Sequence, residues 1–80
     1  MTRRERLEQI VRDVLAPLVE RDGGGVELVR FEDDVVVLRI SGTLSGDPGS
    51  AYVKRSVIEP AVKSAAGPDV DIVYERALPA

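Results

Sequence analysis

Apolar side chains near the start of the chain fall at Leu7, Ile10, Val11, Val14, Leu15 and Leu18, three or four residues apart, which predicts an amphipathic helix. Thr2 and Glu5 stand at capping-box spacing before it, and the glycines at 23 to 25 supply a left-handed cap and turn after it. Pro17 falls inside the last turns, where its missing N–H predicts a kink or a looser final turn. The pattern then changes period. Residues 26–32 (VELVRFE) and 35–41 (VVVLRIS) are rich in β-branched residues and are separated by Asp33-Asp34, so they predict a β-hairpin. Because neither aspartate is glycine, the pair reads as an imperfect two-residue turn, and a longer loop is allowed for. In the second strand Val36, Leu38 and Ile40 share one face and Val35, Val37 and Arg39 the other, and the first set is assigned to the core.

A helical period returns at Val53, Val57, Ile58, Ala61, Val62 and Ala65, with Gly67-Pro68 as the stop. Pro60 leaves the Ser56 carbonyl without its usual donor and predicts a bend or break near Glu59. Residues 70–75 (VDIVYE) alternate as a last strand, and the tail after it is expected to be loose. The resulting fold class is α+β: one small domain over residues 1–80, with its core at about 5–76 and the order helix, strand, strand, helix, strand. A three-stranded mixed sheet follows, with both helices on one face and the third strand expected beside the first.

Between the second strand and the second helix lies SGTLSGDPGS, residues 41–50. Asp47 and Pro48 suit the start of a helix, since aspartate accepts from the free first-turn amides and proline there forfeits no needed donor. The glycines in front of that helix also admit a reading as a small-anion cradle, although the loop lacks a P-loop lysine.

Composition narrows the chemistry. With 80 residues, 44% of them hydrophobic and 31% charged, the chain falls in the range of folded globular domains. A net charge of −3 offers no general attraction to nucleic acid or anionic membranes. No apolar run is long enough to span a bilayer and no leader pattern is visible, so a cytoplasmic location is the expectation. Cysteine and histidine are both absent, which excludes disulfides, thiolate nucleophiles, imidazole bases and Ser-His-Asp or Cys-His pairs. No catalytic residue is assigned, and the chain is expected not to be an enzyme. The acidic groups Glu32-Asp33-Asp34 and Asp69 with Asp71 read as turn chemistry, without the ligand spacing of a calcium loop. Arg3, Arg4 and Arg6 read as a solvated helix start or as a phosphate or acidic-partner contact, Tyr52 and Tyr74 as core residues with surface hydroxyls, and Leu44 as a loop apolar group that folds inward or meets a partner or a second copy of the chain.

The chain resembles the NifU-like C-terminal domain, an iron–sulfur scaffold and carrier module. The resemblance rests on APLVERDGGGVELV at residues 16–29, including the Asp22-Gly23-Gly24 turn, and on the loop frame Gly42, Gly46, Pro48 and Ser50. In that family the loop carries Cys-x-x-Cys ligands for an iron–sulfur cluster; the matching positions here are Leu44 and Asp47. The resemblance implies a role in cluster assembly. Without the thiols, no cofactor and no metal site are expected, and the implied role is a non-catalytic interaction or accessory module. Its expected partners are assembly or client proteins, with no nucleic acid or membrane, and the chain is expected to be a monomer or weak homodimer. Two other readings stay open: an iron or cluster carrier using carboxylates or partner-donated ligands, and the small-anion binder.

Overall fold

The computed structural model describes residues 2–21, 23–42 and 50–76. Helix α1 is continuous through an α segment at Arg3–Ile10, a π turn at Val11–Leu15 and an α segment at Ala16–Glu20. Strands β1 (Gly24–Glu32) and β2 (Val35–Gly42) follow. Helix α2 repeats the design of α1, with segments at Ser50–Val53, Lys54–Ile58 and Glu59–Ala66, the middle one again π. Strand β3 covers Asp71–Arg76.

Each π turn sits just before a proline, and the prolines explain both. Pro17 and Pro60 cannot donate to the carbonyls of Asp13 and Ser56, and an undistorted turn would press each ring against that carbonyl. The preceding turn widens instead, so that Ala16 N–H donates to the Val11 carbonyl and Glu59 N–H to the Lys54 carbonyl, each five residues back. The expected break at Pro60 is therefore a continuous helix with one wide turn.

The wide turn also changes which residues α1 buries. Leu7, Val11, Leu15 and Val19 are all at or below 4% exposure, a repeat of four. On an undistorted helix four residues overshoot one turn by about 40°, so three steps would drift about 120° off the core. The extra residue in the π turn takes up about 100° of that drift. Val14 and Leu18, expected on the apolar stripe, are thereby turned outward, 53% and 40% exposed.

Thr2 Oγ1 accepts from Glu5 N–H at 3.1 Å and Thr2 N–H donates to the Glu5 carboxylate at 3.0 Å, the reciprocal cap read in the sequence. Arg3 does more than start a helix. Its Nη1 donates to the Ala66 carbonyl at the end of α2 (2.9 Å), its Nη2 lies 3.5 Å from Asp34, and the guanidinium sits 5.8 Å from the Phe31 ring centroid. One side chain thus joins α1, the C-terminus of α2 and the hairpin tip.

The sheet order is β1-β2-β3, with β1 and β2 antiparallel and β2 and β3 parallel. The third strand lies beside the second, not beside the first as expected from sequence. A helical crossover such as α2 is the connection that parallel neighbours require. The residues of β2 also favour the centre: Val36, Val37, Leu38 and Ile40 are all buried, on both faces of the strand. Toward the helices, Val26, Leu28 and Phe31 pair with Ile40, Leu38 and Val36, which pair in turn with Ile72 and Tyr74 beside Val36 and Leu38. These join Leu7, Leu15, Ile58 and Val62 in one core, where each fully buried large side chain contributes about 1.5–3 kcal/mol.

Register along β1 skips Val29, a β-bulge between Leu28 and Arg30. Strict alternation would aim Arg30 at the helices; the bulge sends it to the outer face with Glu27 and returns Phe31 to the core. At the other end of β1 the hairpin closes with the minimal turn after all. Asp33 and Asp34 both adopt positive φ, 50° and 60°, as a type I′ turn demands, and the Asp34 carbonyl accepts from Asp71 N–H at 2.8 Å. Both aspartates bear the left-handed strain of an L-residue. Replacing the pair by Asn-Gly (Asp33→Asn, Asp34→Gly) is expected to stabilise the domain by about 1 kcal/mol, a rise in Tm of about 4–8 °C by thermal circular dichroism. The exposed Arg3–Asp34 pair that this removes is worth little.

Candidate functional site

The glycines that frame the expected site converge at the end of the hairpin opposite the Asp33-Asp34 turn. Gly23, at φ 84°, donates its N–H to the Glu20 carbonyl at 3.1 Å and closes α1 with the expected left-handed residue. One residue later β1 begins, and Gly24 pairs with Gly42, the last residue of β2. Gly42 itself has φ +64°, and a Cβ there would strike the Gly23 carbonyl oxygen and lie 3.2 Å from Gly24 Cα. A side chain at 42 is thus opposed by both torsion and space. The two glycine signals, eighteen residues apart in the chain, are one backbone junction. It fixes where the chain leaves the sheet. Gly25 pairs with Ser41, and a Cβ on Gly25 would collide with the Ser41 hydroxyl.

Ser50 opens α2 on the far side of the loop. Asp22, Leu44, Gly46, Asp47 and Pro48, the remaining site assignments, lie outside the described residues. The chain has no cysteine and no histidine, and the described residues contain no group of three aspartates or glutamates placed to hold a metal. Two soft thiolates are what a cluster loop of this kind supplies to iron, and a leucine with one hard carboxylate is a different donor set. The residues present do not fit an iron–sulfur cluster ligated by this chain alone.

A second grouping was not anticipated from sequence. Tyr74 Oη donates to Glu59 Oε2 at 3.2 Å, and Lys54 Nζ sits 4.9 Å from the centroid of the same ring. Partial burial, followed by the charge and hydrogen bond of Glu59, raises the phenol pKa above its ordinary value. Lys54 and Glu59 are five residues apart, a spacing that does not share a face of an α-helix. The π turn brings them to the same side, so the only advance signal was Pro60. The group fastens α2 to β3. Tyr52, expected to be a core residue, is instead 74% exposed on the first turn of α2. Among the described residues no helix is long and apolar enough to cross a membrane.

The NifU-like domain family model matches residues 7–73, from the first core leucine of α1 into β3. The chain belongs to the NifU-like domain family. That family is associated with iron–sulfur clusters. A relative from Azotobacter vinelandii, an uncharacterized 10.3 kDa protein in the vnfA 5′ region, is 41% identical over 59 residues. The match covers 74% of this chain and 62% of that protein, so the chain spans about three fifths of the relative's length. No solved structure matches.

Gly42 is the position at which the junction is most exposed to test. Gly42→Ala is expected to destabilise the domain by about 2 kcal/mol or more, measured by urea denaturation, because strained torsion and a backbone collision act together. Gly46→Ala in the same experiment provides the comparison within the loop.

Proposed function

We propose that this NifU-like domain is a non-catalytic protein-interaction module of iron–sulfur cluster biogenesis that has given up cluster ligation. The observation that carries the reading is the family match across the whole fold in a chain without one thiol or imidazole. Leu44 and Asp47 occupy the positions of the family's cysteines. Leucine has no lone pair to donate, and Asp47 followed by Pro48 has the sequence of a helix start. Close packing at Gly23, Gly24 and Gly42 fixes the point at which the loop leaves the sheet, which supports a binding role for this end of the domain.

In this reading the chain works by binding, as a stand-in for a cluster-bearing domain, and performs no covalent chemistry. Sedimentation of the purified chain with an apo-ferredoxin and with a cysteine-bearing NifU-like domain tests it. A complex with at least one of them at micromolar concentration is the expected outcome, retained when cysteine is placed at 44 and 47. No complex with either removes the reading.

A further inference from the structure

Beside β1 the structure carries a feature that the loop does not account for. A groove of about 380 Å³ runs between α1 and the outer edge of β1, floored by Val11, Val26 and Leu28 and rimmed by Arg4, Arg12 and Arg30. β1 is an edge strand, so its outward backbone groups meet no other strand among the described residues. The groove also holds two carboxylates, Glu8 and Glu27. Both are engaged: Glu8 with Arg4 at 3.6 Å and Glu27 with Arg39 at 2.9 Å. Arg12 is held by its neighbour Asp13 at 3.1 Å. Arg30, which the bulge at Val29 turns outward, makes no ion pair or hydrogen bond among the described residues.

We infer that the β1 edge and its groove receive an extended segment of a partner protein in which acidic and apolar side chains alternate. An added strand presents alternate side chains to opposite faces. One row would lie over Val11, Val26 and Leu28; the other would bring a carboxylate to Arg30, the charge the groove leaves unanswered. A second copy of this chain suits the edge less well. Two-fold pairing of β1 with itself would set bulge against bulge and bring the Arg4 and Arg12 rows of two helices toward each other. The opposite edge, β3, carries Asp71 and Glu75 with one arginine, Arg76, at its end, whereas the groove beside β1 gathers Arg4, Arg12 and Arg30.

This deepens the interaction-module reading and rests on it only for the claim that a protein partner exists. The probe is an eight-residue capped peptide of alternating glutamate and valine, titrated into the isotopically labelled chain, with a lysine–valine peptide as control. The acidic peptide is expected to move the amide resonances of Val26 to Arg30 and leave those of Asp71 to Arg76 in place. Arg30→Glu is expected to weaken binding about fivefold or more, and Arg30→Lys to retain most of it. Equal binding of both peptides, insensitivity to Arg30→Glu, shifts confined to β3, or β1 shifts that follow protein concentration without peptide would each overturn the proposal. If the peptide fails while the chain still binds an apo-ferredoxin, the docking edge is wrong and the interaction-module reading stands.

Discussion

The structure depends on the central position of β2. A strand hydrogen-bonded on both sides, with Val36, Leu38 and Ile40 toward the helices and Val37 buried on the opposite face, gives the small core its central element among the described residues. The other elements take their geometry from it. The bulge in β1 keeps Phe31 in the core against Val36 while Arg30 leaves it, and β3 is laid parallel by the α2 crossover so that Ile72 and Tyr74 extend the same apolar row. The end of β2 at Gly42 then fixes where the loop begins, because only backbone fits between it and Gly23-Gly24.

Much of this was legible in the sequence. The change from helical to alternating spacing located every element, the Thr2 cap and the Gly23 terminator were readable from residue type, and Asp22-Gly23-Gly24 with the Gly42 frame pointed to the family. What escaped had local causes. The exposure of Val14 and Leu18 follows from a π turn, and a 3.6-residue period does not reveal such a turn even when the proline that induces it is seen. Chain order alone places β3 beside β1, but composition favours β2 at the centre: the unbroken apolar run from Val35 to Leu38 is the mark of a central strand. The tight turn at Asp33-Asp34 shows tertiary context overriding preference, since Asp71 N–H holds the Asp34 carbonyl from the neighbouring strand.

Gly23, Gly24 and Gly42 were legible as backbone positions, and the function of the loop they border was not, for one physical reason. Glycines are retained for backbone geometry, and that geometry persists whether or not the loop carries ligands. A family fold is therefore not by itself evidence of the family's chemistry. The absence of cysteine and histidine is the stronger statement, because no rearrangement of the backbone supplies a thiolate or an imidazole.

That statement is tested most directly by anaerobic reconstitution with iron and sulfide, followed by visible absorption after desalting, on the unaltered chain and on a Leu44→Cys, Asp47→Cys variant. The account predicts that the unaltered chain stays colourless and that the variant acquires the broad absorption of a thiolate-bound cluster. A stable cluster on the unaltered chain would contradict it.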